Sequence, residues 1–167
     1  GFLALRDSTH IFSMPQADLY GDIYVNPEGS WGGEGTIDDP LKTISEALFR
    51  LVADSINPGT IYLANGDYLP ESGGERFPLS LKSYTSIVGE AEAGVILDAY
   101  GIDRVFKIDS SRHVSLINLT ITGGQATDGG GISCNYSDIT LSNVTFNENQ
   151  ANGRGGGFFC QNSNPQL

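Results

Sequence analysis

Basic residues are scarce in this sequence: 9 Lys and Arg stand against 20 Asp and Glu in 167 residues, a formal net charge of −11. Such a surface repels phosphate backbones, which argues against a nucleic-acid partner. No apolar run reaches the roughly 18 residues a membrane-spanning helix needs, so no direct membrane span is expected. Cysteine and histidine are rare too. Cys134, Cys160, His10 and His113 show no metal-ligand spacing and no Ser/His/Asp nucleophile motif. Glycine is abundant at 22 residues but lacks the every-third-residue period of collagen. Many glycines with only 17% charged residues point to tight turns repeated many times. The acidic balance fits a secreted protein or one that meets cations, and it also simply aids solubility.

What is present is a repeat. Residues 114–121 read VSLINLTI and residues 139–146 read ITLSNVTF, 25 positions later. Val114/Ile139, Leu116/Leu141, Leu119/Val144 and Ile121/Phe146 match in apolar character. Gln125-Ala126 recurs as Gln150-Ala151, and the triplet 129–131 before Ile132-Ser133-Cys134 recurs as 155–157 before Phe158-Phe159-Cys160. Looser copies precede these at Thr60–Tyr62, Ser86–Val88, Val95–Leu97 and Phe106–Ile108. Each unit holds three short segments of alternating apolar residues, the period of a strand with one buried face. A leucine-rich repeat would need a helix, and a propeller blade about 40 residues or more. The pattern therefore predicts an all-β, right-handed, single-stranded parallel β-helix of about four rungs, near 60–85, 86–112, 113–138 and 139–164, stacked about 4.8 Å apart. The glycine triplets are corner turns, since no helix follows them to make a phosphate cradle.

Asn118 and Asn143 fall at the corner between two strands, where a left-handed bend suits Asn. One rung apart, they are expected to share amide hydrogen bonds as a structural ladder. Both also begin Asn-x-Thr sequons, and Asn135 an Asn-x-Ser sequon, so glycosylation is the competing use. Cys134 and Cys160 form the second expected ladder, either as a disulfide across neighbouring strands or as a buried stack of free thiols.

The first half reads as a cap. Residues 1–21 are an N-terminal extension whose Gly1–Leu5 is either the tail of a signal sequence or a frayed terminus. Residues 22–59 hold a strand at 22–25, a Gly-rich loop at 29–35 and a helix opened by Asp39 as N-cap and Pro40. Leu41, Ile44, Ala47, Leu48, Leu51 and Val52 line one face of that helix, which should lie across the open end of the first rung. Residues 60–167 are then the rungs. No polar cap follows the last of them, so a truncated C-terminus or an open end that pairs with another chain is expected.

These residues carry a family resemblance. Ile23 through Ser30, Gly35-Thr36, Pro40–Ile44 and Ala47-Leu48 resemble the N-terminal cap of pectate-lyase-like right-handed parallel β-helix proteins, and Ile61–Tyr68 their first rung. Val95–Ala99 and Val114–Gly124 continue the pattern. Phe146-Asn147-Glu148-Asn149 with Gly156-Gly157-Phe158 is similar to the repeats of polymorphic outer-membrane proteins, except that Phe158 departs from their small-then-aliphatic ending. The resemblance spans about residues 22–164. It implies a secreted, extracellular or cell-surface protein. It does not imply catalysis, because the superfamily holds lyases, hydrolases and adhesins alike.

Lyases of this superfamily pair a basic residue with calcium held by carboxylates, so the resemblance brings in Ca²⁺ as the one cofactor to test. The matching inventory is Arg104, Lys107 and Arg112 as catalytic candidates and Asp98 and Asp103 as metal candidates. Lys107, between inward Phe106 and Ile108, should point outward, and solvated strand ends would explain all three bases equally well. Asp38-Asp39 is a helix cap or a calcium ligand pair. Trp31, Tyr24, Tyr62 and Tyr68 pack the fold or stack on sugar rings. The expected role is structural, adhesive or glycan-interacting, with a polysaccharide or a surface protein as partner. The alternatives are the N-terminal part of a calcium-dependent polysaccharide lyase or related enzyme, and self-assembly through the open C-terminal end.

Overall fold

The computed structural model describes residues 16–91 and 94–167; His10 and the expected signal-sequence tail lie outside them. Among the described residues, thirteen strands pair in parallel around a single coil. β1 (Asp22–Ser30), β2 (Gly59–Leu63), β5 (Thr85–Gly89), β8 (Val114–Thr122) and β11 (Ile139–Asn147) follow one another along one sheet. β3 (Gly66–Tyr68) and β6 (Val95–Asp98) pair with each other, and β6 joins the second half of β8, so that this sheet is bent. The bent sheet covers two faces of the coil, and β4 (Leu79–Ser80), β7 (Phe106–Asp109), β10 (Ile132–Asn135) and β13 (Phe158–Gln161) cover the third as a separate sheet, the third sheet. The short pair β9 (Gln125–Ala126) and β12 (Gln150–Ala151) closes one turn. This is a β-solenoid of about four turns, as the repeat predicts.

Register follows from burial. Ile23, Ile61, Ile87, Leu116 and Leu141 stand over one another, and Phe106 stands over Ile132, which stands over Phe158. In a strand only alternate residues face the core, so a slip of one position would drive each row into water. The core rows run through every level, from Ile23 and Val25 to Ile139 and Leu141.

The bend in the long sheet is made by Asn118 and Asn143, both left-handed with φ of 57° and 51°. Asn143 Nδ2 donates to Asn118 Oδ1 at 3.1 Å, and Asn118 Nδ2 donates to Gly89 O at 3.2 Å. The expected amide ladder is therefore present and climbs three levels. Cys134 and Cys160 are register partners and both are free thiols. Burial pushes the Cys134 thiol up to about 11.

A third ladder has no counterpart in the sequence reading. Ser111 N–H donates to Ser137 Oγ and Ser137 N–H to Ser163 Oγ, each at 2.9 Å. Their hydroxyls donate to Leu81 O, Ile108 O and Cys134 O. Each follows a left-handed corner, at Ser110, Tyr136 and Asn162.

The capping helix differs from expectation. Helix α1 is Ile44–Arg50, and Thr43 is its N-cap, accepting from Glu46 N–H. Asp39 does not cap it. Leu41 bridges in parallel to Val25 and Ser30, and Lys42 N–H donates to Ser30 O at 3.2 Å, which holds the backbone extended until Thr43. Asp39 instead accepts from Glu34 N–H in the preceding loop. Leu51 lies beyond the helix as its C-cap, and Val52 is 38% exposed. Ile44 and Ala47 enter the core, and the helix packs against β1 and β4.

Glu75 fastens this cap. Its carboxylate accepts from Ile44 N–H at 2.5 Å, Ser45 N–H at 3.0 Å and Ser45 Oγ–H at 2.6 Å. Burial raises its carboxyl above the usual 4.5, and these bonds only partly offset that. An acid with a raised folded pKa adds stability that is present below the unfolded value and lost as pH rises through the folded one. Asp128 is held below 3.8 by the side chain of Arg154, and Asp54 by the N–H groups of Asn57 and Ile56, so their contribution is lost as pH falls below that range. The melting temperature should therefore be higher just above pH 4.5 than at neutral pH, and Glu75→Gln should flatten that decline. A wild-type melting temperature that climbs steadily toward neutrality would refute the assignment to Glu75.

Candidate functional site

The outward face of β7, β10 and β13 carries Lys107, one of the candidate bases. Alternation makes it: Phe106 and Ile108 turn inward, so Lys107 and Asp109 turn out and are exposed. Lys107 Nζ lies 3.3 Å from Asp109 Oδ2, and Asn135 Nδ2, one level on, donates to Asp109 Oδ1 at 3.1 Å. Gln161 is the register partner of Asn135 on β13. The result is a row of base, carboxylate and carboxamides along adjacent levels. At its edge Arg154 pairs with Asp128 at 3.2 Å and lies 4.6 Å above the ring of Phe159.

Arg104 and Arg112 are placed apart rather than in one basic cluster. Arg104 precedes β7 and pairs with its neighbour Asp103 at 3.7 Å. Arg112 follows the corner at the other end of β7, where its N–H donates to Ser83 Oγ. At about 3.3 Å rise per residue, the two lie on the order of 15–20 Å apart. Arg112 borders an open groove with His113, Tyr136 and Asp138, and the ring of His113 stacks on Tyr84 at 5.1 Å.

The metal candidates do not assemble a calcium site. Asp98 ends β6 and accepts from Tyr100 N–H at 2.8 Å, while Asp103 is engaged by Arg104. Among the described residues no group of three or more His, Cys, Asp or Glu side chains is placed to share an ion. Calcium takes six to eight oxygen ligands, so no step is routed through it here.

The aromatics divide. Tyr68 is fully buried, its hydroxyl bonded to Ala64 O at 2.9 Å, and has no face for a ligand. Tyr24 and Tyr62 stack at 5.3 Å on the outer side of β1 and β2. Trp31 rests one edge against Gly74 and is 63% exposed.

A second, narrower groove of about 420 Å³ lies at the corner that follows β6 and β8, lined by Asp98, Tyr100, Gln125, Glu148 and Gln150 over a floor that includes Gly123. Of these, the sequence marks only Asp98 as a candidate ligand, and Gln125, Glu148 and Gln150 enter it only as repeat positions. No helix among the described residues is long and apolar enough to cross a membrane.

A family model described as "Protein of unknown function (DUF1565)" matches residues 27–165. Among curated proteins, pectate lyase PEL9 of Emericella nidulans is 41% identical over 75 residues, covering 41% of this chain and 17% of that protein. The chain thus spans about a sixth of the length of that relative. No solved structure matches significantly.

Proposed function

From the premise that the chain belongs to the DUF1565 family, a right-handed β-helix family, we propose that it is a secreted or cell-surface protein that contacts an extended glycan. The observation that carries this reading is the open row Lys107, Asp109, Asn135 and Gln161 on the third sheet. Its groups are held in register by the coil, so binding would order few side chains and lose little conformational entropy. Carboxamides and a carboxylate–ammonium pair offer both donors and acceptors to sugar hydroxyls. Similarity to a pectate lyase supports a polysaccharide as the partner.

Electrophoresis through a gel that contains polygalacturonate tests it. The wild-type chain should be retarded, and Lys107→Ala combined with Asn135→Ala should run free while its melting temperature stays within a degree or two. Equal mobility with and without the polymer would end this reading.

The same similarity favours one second reading, a fragment of a lyase. Incubation with polygalacturonate and calcium separates the two. Release of unsaturated products, lost in Lys107→Ala, would replace the binding role by catalysis.

A further inference from the structure

At the corner that follows β6, β8 and β11, each level turns the chain through the left-handed region: at Tyr100 and Gly101 (φ 53° and 74°), at Gly123 (φ 63°) and at Glu148 (φ 50°). The outer two levels carry a side chain there and the middle one cannot. A Cβ on Gly123 would fall 2.0 Å from Asp98 Oδ1 and 3.0 Å from Tyr100 N. With levels about 4.8 Å apart, Tyr100 and Glu148 stand about 10 Å from each other and leave a gap one level wide.

The groups around that gap have unused hydrogen-bonding capacity. One Asp98 oxygen accepts from Tyr100 N–H. The other oxygen, the Glu148 carboxylate and the side chains of Gln125 and Gln150 have no partner among the described residues. Gln125 and Gln150 are register partners on β9 and β12, so their carboxamides repeat at the same interval. Tyr100 is 65% exposed. No basic residue lines the groove, although two carboxylates do.

These features select a ligand. Carboxylates without a cation accept hydrogen bonds and repel anions. Carboxamides both donate and accept. An exposed phenol ring offers a flat apolar platform. We propose that this notch binds a single neutral sugar ring, which lies against Tyr100 and donates hydrogen bonds from its hydroxyls to Asp98 and Glu148, and that it excludes uronates. The site is separate from the row on the third sheet, and it rests on the glycan reading only for the choice of a sugar as occupant.

Titration of the isotope-labelled full chain, followed by NMR, tests this. The probes are neutral tetrasaccharides of glucose, galactose, mannose, xylose and arabinose, with a galacturonate tetrasaccharide as the anionic arm. At least one neutral sugar should shift the Gly123, Gly124 and Gln125 amides and the Tyr100 ring, and galacturonate should leave them in place. Tyr100→Gly, which removes the ring yet suits the left-handed corner, should weaken binding about tenfold. Glu148→Gln should weaken it too, and Lys107→Ala should not. Loss of gel retardation in the Lys107/Asn135 variant alongside intact sugar shifts would leave both sites standing. If no neutral sugar moves those signals, if galacturonate moves them equally, or if Tyr100→Gly binds as well as wild type, the notch proposal is overturned whatever the third sheet does.

Discussion

Phe106→Ala is expected to destabilise the protein by about 3–5 kcal/mol. Phe106 is fully buried, held between Leu79 and Ile132 in the register of the third sheet. Its removal leaves a cavity that the coil cannot close, because the levels above and below are fixed by backbone hydrogen bonds. Domain stability is typically about 5–15 kcal/mol, so this is a large share. Urea unfolding gives the number. Phe49, 80% exposed on the helix, is the control, and its change to alanine should stay within about 0.5 kcal/mol. A Phe106→Ala cost as small as that of the control would mean that the phenyl ring is not in the core.

Asn118→Ala should cost about 2–3 kcal/mol. Gly89 O loses its donor and Asn143 Nδ2 its acceptor, at about 1 kcal/mol each. Alanine at a φ of 57° adds about 1 kcal/mol of backbone strain. Asn118→Gly should recover that last part alone, so the difference between the two variants separates strain from hydrogen bonding. Asn143→Ala should be milder, because Asn143 is exposed and at the end of the ladder. Equal stabilities for wild type and Asn118→Ala would remove the ladder as a source of order.

The rungs were legible because every level answers to the same constraint. Ile23, Ile61, Ile87, Leu116 and Leu141 must all face one core, and the backbone must bend at the same place each time. Asn118 and Asn143 announced that bend, since few other residues take it so easily. Ser111, Ser137 and Ser163 recur at 26 residues just as plainly, yet serine is common in turns and its hydroxyl ladder went unread. The helix starts at Thr43 rather than Asp39 for a different reason. Asp39-Pro40 is good local capping chemistry, but the pairing of Leu41 with β1 outweighs it.

The site was less readable than the fold. That Lys107 points outward followed from alternation, but its engagement by Asp109 and, through Asp109, by Asn135 depends on side-chain placement. Arg104, Lys107 and Arg112 are close in sequence, yet a strand in extended form carries the two arginines to opposite edges. The notch was hidden because Tyr100, Gly123 and Glu148 share a conformation and no chemistry, and their spacings of 23 and 25 residues differ by an insertion.

Every site on this molecule depends on parallel, in-register stacking of consecutive turns. Nuclear Overhauser contacts in the labelled protein test that directly. The side-chain amide of Asn143 should lie next to that of Asn118, and the amide of Ile132 should sit beside Gly157, whose carbonyl it reaches at 2.8 Å. Contacts that instead joined neighbouring strands of the sequence in antiparallel hairpins would contradict the fold and every site built on it.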